Sequence, residues 1–230
     1  MPSGDGRVPL NRFLARGPRF RLAGEMIRDS ALAVSGLLNR KIGGASVFPY
    51  QPKGIWEEMA FGDGFSAQEY RLSPGADLYR RSLYTFWKRT VPPPAMAVFD
   101  APDREKCTGR RVITNTPLQA LALLNDPVYI EAARKLAEKV FLSGAVRPNA
   151  RIDYLFRLVT SRYPTPVEVK VLQSLINQQQ QYYKRNLAEA RKLLLRGDSG
   201  FGVNKDVEAM AAWVIASSTL LALDETISKE

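Results

Sequence analysis

The sequence contains no histidine and one cysteine, Cys107, in 230 residues. Without histidine it lacks the commonest general base and the commonest metal ligand at neutral pH. One thiol cannot close an internal disulfide. With no histidine, neither a structural zinc site nor a C-x-x-C-H heme attachment can form within this chain. A fold without bridges suits a reducing compartment, or an exported protein that needs none. No run of about 20 apolar residues is present, so no membrane-spanning helix is expected. Met1 to Leu10 carries glycine, proline and aspartate and no apolar stretch, so no secretory leader is expected there.

Positive charge is what the chain has in excess: Lys and Arg number 33, Asp and Glu 23, for a net charge of +10. Such an excess favours an anionic partner, whether nucleic acid, polysaccharide or lipid surface. It equally suits solvated helix faces, where basic residues sit near acidic ones. The length allows a sizeable core.

Apolar periodicity points to a mainly α protein: an irregular helical domain with a long antiparallel helix pair at its C-terminus and a small β or extended element near 82–99. Residues 1–21 read as an irregular lead-in left from an upstream part. Residues 22–230 read as one domain, with a core motif at 80–127 and a C-terminal helical part at 128–230. Leu22, Met26, Ala33 and Leu37, with Ile27, Val34 and Leu38, predict a helix over 22–40 that stops at Gly43-Gly44. Pro49 and Pro52 frame an extended loop carrying Tyr50-Gln51, a pairing that serves packing or lines a sugar or peptide site. Gly62-Asp63-Gly64 lacks the spaced acids of a calcium loop.

Ser82 to Trp87 alternates and is aromatic, which predicts a strand, and Ala95 to Phe99 a second short one. Pro92-Pro93-Pro94 between them forces extended backbone. Thr116-Pro117-Leu118-Gln119 and Thr165-Pro166-Val167-Glu168 both carry the capping-box pattern. They open helices at 117–124 and 166–196. Pro127 opens another, running to Leu142, and residues 151–162 form a short helix. Val169, Leu172, Ile176, Gln179, Tyr183, Leu187, Ala190 and Leu194 form a narrow seam along the long helix. The segment 206–223 is apolar around most of its surface and should lie at the centre of the C-terminal part.

The candidate chemistry lies before Thr116. Arg104, Arg110 and Arg111, with Asn115, Thr116 and Gln119, could gather a sulfate, carboxylate or phosphate at a helix N-terminus. The alternative is a structural network, in which Asp100, Asp103 and Glu105 pair with the arginines. Asp100 and Asp103 are a candidate acid pair, or caps of a proline-bearing turn. Cys107, flanked by Lys106 and Arg110, is a nucleophile only with a base nearby, and is otherwise an inert thiol. Trp87 beside Lys88 and Arg89 is a weak nucleic-acid signal.

The runs Arg80–Pro94, Phe99-Asp100-Ala101-Pro102 and Thr114–Leu121 resemble the C-terminal domain of unknown function of planctomycete-type cytochrome c multidomain proteins. Met26-Ile27-Arg28-Asp29, Ser35-Gly36-Leu37-Leu38, Ile42-Gly43-Gly44, Pro49-Tyr50-Gln51-Pro52 and Leu223-Asp224-Glu225 resemble its flanking blocks. The resemblance implies that the chain is the C-terminal part of a longer exported protein located extracytoplasmically. It implies heme c in an upstream domain or partner, with no cofactor in this chain. The family pattern has proline where this chain has Ala45 and arginine where it has Ile113, which weakens the anion cluster. No reaction is assignable. The expected role is an accessory or interaction domain. The alternatives are an enzyme domain acting on an anionic, sulfated or carboxylated glycan, and a basic nucleic-acid-binding protein.

Overall fold

In the computed structural model, residues 17, 19–58, 69–143, 147–201 and 206–229 are described. Most of the lead-in and the Gly62-Asp63-Gly64 segment lie outside them. The first helix, α1 (Gly24–Ser35), ends at Gly36, whose left-handed φ of 85° returns an N–H to the Ala33 carbonyl. Glycine adopts that conformation without a Cβ penalty, so the helix closes well before Gly43-Gly44. Its buried stripe is Gly24, Ile27, Arg28, Ala31, Leu32 and Ser35, while Met26 and Ala33 face solvent.

A short helix α2 (Ile55–Glu58) and two 3₁₀ turns, Gly75–Tyr79 and Ser82–Tyr84, follow. The strand expected over 82–87 is therefore a 3₁₀ turn, joined to Val47 by a single parallel bridge at Thr85. The strand expected over 95–99 is helix α3 (Pro94–Ala97). Pro94 at the first helical position starts it, since its missing N–H costs nothing there. The extended pairing present elsewhere is an antiparallel ribbon of β1 (Phe20–Arg21) and β2 (Ser228–Lys229).

Proline-started helices build the rest. They are α4 (Pro117–Asn125), α5 (Pro127–Leu142), α6 (Pro148–Thr160) and α7 (Pro166–Arg185). Asp126 caps α5 by accepting from the Val128 amide at 2.9 Å. The long helix expected over 166–196 is interrupted at Asn186, whose side chain donates to the Tyr182 carbonyl at 2.9 Å. The chain resumes as α8 (Leu187–Leu194). Leu172, Ile176, Tyr183, Ala190 and Leu194 of the expected seam are buried, whereas Leu187 faces out.

Helix α9 (Val207–Leu221) is the centre, with ten buried residues from Met210 to Leu221. It packs on α5 on one side and on α7 and α8 on the other, and α1 covers the far side of α5. A short α10 (Asp224–Ile227) leads into β2. Among the described residues no helix is long and apolar enough to cross a membrane.

An arginine fork holds the start of α7. Arg162 donates to Glu168 at 2.7 and 2.9 Å and to Glu225 at 2.7 and 2.8 Å. The Arg162 guanidinium, with the Thr165 cap, brings the Glu168 carboxyl down to about 2 from an ordinary 4.5. A carboxyl depressed in the fold stabilises it fully above its unfolded value and loses that contribution as pH falls through the folded one. Wild-type stability therefore drops between about pH 4.5 and 2, and Glu168→Gln flattens that part of the curve. Urea unfolding across the interval checks this. Parallel curves for the two proteins would overturn it.

Candidate functional site

The stretch from Arg80 to Pro127 wraps the entry to α4, and Asp100 organises it. Its φ of 59° is left-handed, a conformation aspartate tolerates better than most residues. From there the carboxylate accepts from the Thr114 amide and the Thr114 hydroxyl, both at 2.8 Å. Gln119, 1% exposed, donates to the Val98 carbonyl at 2.9 Å and the Thr114 hydroxyl at 3.1 Å. Its oxygen accepts from the Thr116 amide at 3.1 Å, the reciprocal half of a capping box. The Arg21 guanidinium donates to the Thr114 carbonyl from β1. Asp100, Thr116 and Gln119 are thus brought together, closing the 98–116 loop onto α4.

The basic residues part company. Arg111 forms a two-pronged pair with Glu25 of α1, at 2.7 and 3.0 Å. Partial burial pushes the Glu25 carboxyl up, but hydrogen bonds from Arg111 and its own backbone amide outweigh that and leave it lowered. Arg104 stacks over the Trp87 ring at 4.5 Å, and the Trp87 indole donates to the Asp103 carbonyl at 3.0 Å. The Asp103 carboxylate accepts from the Glu105 amide at 3.0 Å, a local turn contact separate from the Asp100 cluster. Arg110, Asn115 and Cys107 are exposed on the surface. No group of His, Cys, Asp and Glu that could hold a metal ion occurs among the described residues.

Two buried ionic centres escaped the sequence reading. In the first, Arg28 of α1 is buried and donates to the carbonyls of Leu78 at 2.7 Å and Arg80 at 2.9 Å, and to the Ser82 hydroxyl at 3.2 Å. Asp29 accepts from the Ser82 amide at 2.7 Å. Burial pulls the Arg28 guanidinium's pKa down, and the Asp29 charge opposes the pull. Arg80 passes the arrangement on: it donates to the Ala45 carbonyl at 3.0 Å and lies 3.9 Å over the Tyr84 ring. The available signal was the spacing of Gly24, Ile27, Arg28, Ala31 and Ser35, which puts a cation on the apolar stripe of a helix.

The second centre lies on α5. Arg134, 1% exposed, is 2.9 Å from Glu138 and 3.4 Å from Glu131. It also donates to the Ser199 hydroxyl at 2.7 Å and to the Gly200 carbonyl. Glu131, fully buried, accepts from the Tyr79 hydroxyl at 2.9 Å and the Ser199 amide at 2.7 Å. Burial and the adjacent Tyr50 and Glu131 push the Tyr79 hydroxyl far up. Gly197 at φ 89° abuts Glu131, where a Cβ would lie 2.2 Å from the carboxyl carbon.

These polar groups define a class before they define an activity: a helical domain whose signature residues hold loops against helices by gripping backbone groups. The chain belongs to the PSD1 family, protein of unknown function (DUF1553), which matches residues 4–176. No curated protein and no solved structure matches it.

Proposed function

We propose that the chain is a non-catalytic accessory domain that mediates interaction within an exported, extracytoplasmic planctomycete-type cytochrome c system, with heme c carried by an upstream domain or a partner protein. The carrying observation is an apolar face inside the signature stretch. Leu118, Leu121 and Leu124 on α4 are 56%, 56% and 45% exposed, and Val112 and Ile113 just before the helix are 71% and 61% exposed. Helix α4 bears no charged side chain. Grouped exposed aliphatics of this kind mark interaction surfaces. Lys106 and Arg110, exposed on the preceding loop and without an ion pair among the described residues, favour an acidic partner. The anionic-polysaccharide reading draws less support, because Arg104 and Arg111 turn to Trp87 and Glu25.

The test titrates the purified chain with the heme-bearing domain by calorimetry. Binding that weakens with salt is expected, and Leu118→Ser with Leu121→Ser reduces the affinity about tenfold or more, or about 1.4 kcal/mol. The unfolding midpoint should stay near wild type, because both side chains face solvent. Absence of binding by the wild type, or equal binding by the double variant, would overturn the proposal.

A further inference from the structure

Helix α8, with the last turn of α7 before it and the turn after it, gathers cations that the fold leaves unused. Lys184, Arg185, Arg191, Lys192 and Arg196 are all exposed. The acids of the same stretch are Glu189, paired with Lys192 at 2.9 Å, and Asp198, past the helix end. Five cations against two acids leave a positive excess of three over 184–198. The charged groups of Lys184, Arg185, Arg191 and Arg196 make no ion pair, hydrogen bond or ring contact among the described residues. The arginines around α6 are employed by contrast. Arg151 lies over the Phe141 ring at 4.7 Å, Arg157 lies over Tyr163 at 4.4 Å, and Arg162 holds Glu168 and Glu225.

The same surface carries hydrocarbon. Ala190 and Leu194 anchor α8 to the body, at 0% and 2% exposure. With about 3.6 residues per turn, Ala188 and Leu195 then fall on the outermost line of the helix, with Arg191 to one side and Lys192 to the other. Leu195 is 74% exposed and Leu187 43%. Tyr182, half-exposed one turn before the end of α7, adds a ring with an apolar body and a polar tip. Cations near a helix C-terminus complement its partial negative charge, which accounts for some of the basic residues. It does not account for leucines set among them and turned to solvent.

From this combination we infer that α8 and the end of α7 form a docking surface for an anionic phospholipid bilayer. The four unpaired cations meet the headgroup phosphates, and Leu195 and Leu187 enter the boundary between headgroups and acyl chains. Lys or Arg beside exposed apolar side chains on one helix is the pattern of helices that lie in that boundary. A nucleic-acid backbone would use the cations and leave the leucines in water, whereas a bilayer uses both. The attachment is peripheral, because the inner face of α8 stays packed on the core.

The experiment is co-sedimentation of the purified chain with vesicles of phosphatidylcholine and phosphatidylglycerol, beside vesicles of phosphatidylcholine alone. Binding to the anionic vesicles is expected, weakening as salt is raised, with little on the neutral ones. Arg191→Gln weakens it about fivefold. Lys170→Gln removes the same charge about 22 Å along α7 from Arg185, and leaves the affinity within about twofold. Leu195→Ser lowers the affinity about fivefold or more with no change of charge, and keeps the unfolding midpoint because the side chain is exposed. Failure to bind anionic vesicles, equal binding to neutral ones, or equal losses from Arg191→Gln and Lys170→Gln would each sink the inference. So would vesicle binding unmoved by Leu195→Ser, since charge alone would then carry it, as it would for duplex DNA.

Discussion

Replacing Arg134 by alanine lowers the unfolding free energy by about 3–5 kcal/mol. Removing one member of a buried ionic group strands the others. Here the stranded group is the wholly buried Glu131 carboxylate, while Glu138 keeps its pair with Lys135 at 2.8 Å. The Ser199 hydroxyl loses its donor in the same step, and the Gly200 carbonyl is left with Lys135 alone at 3.1 Å. A domain of ordinary stability, about 5–15 kcal/mol, would lose a third or more of it. Urea unfolding followed by tryptophan fluorescence measures the loss. Adding Glu131→Gln to Arg134→Ala should recover part of it, because a neutral amide in that position is less costly than an unpaired carboxylate. A single variant within about 1 kcal/mol of wild type would show that the charges are not buried as described.

Arg28→Met is the second large effect, a loss of about 3 kcal/mol or more. The methionine fills comparable volume, so packing is nearly conserved and the cost falls on hydrogen bonding. The carbonyls of Leu78 and Arg80 and the hydroxyl of Ser82 lose their donor together. Each buried acceptor left unpaired costs about 1–3 kcal/mol. Arg28→Lys should restore less than half, since an ammonium cannot reproduce the planar fork that reaches three acceptors at once. Hydrogen exchange adds a localised readout: the Ser82 amide, which donates to Asp29 at 2.7 Å, should lose protection ahead of amides in α9. Retained protection there would contradict the role given to Arg28.

The contrast between what could and could not be read in advance follows from these two arginines. Helix starts were legible because their signals are local. Thr116-Pro117 and Thr165-Pro166 each open a helix with a capping box, and Asp126-Pro127 opens α5 with a side-chain cap. The buried character of α9 was legible from its all-round apolarity. The 82–87 segment misled because alternation describes a strand only if a partner strand takes its hydrogen bonds. Its neighbouring carbonyls go instead to Arg28, some 50 residues away, and its pairing with Val47 is a single bridge. The break at Asn186 left no distinguishing trace, since Asn177 stands in the same run and α7 passes through it unbroken. At the candidate site, Thr116 with Gln119 was legible, while the partners of Arg104 and Arg111 were not. Glu25 lies 86 positions from Arg111, and no local pattern ties the two.

The contacts between Arg134 and the Ser199-Gly200 turn span 65 and 66 positions of sequence. They close a long loop of chain, as a cross-link would, and so limit the freedom of the segment between α5 and α8. In many secreted proteins that work falls to cystine, which ties folding to an oxidant. A tie made of guanidinium, carboxylate and backbone has no electrons to exchange. Reductant should therefore leave the unfolding midpoint of this protein where it is. The fold can be completed under reducing or oxidising conditions alike, and passage between the two neither locks nor unlocks it.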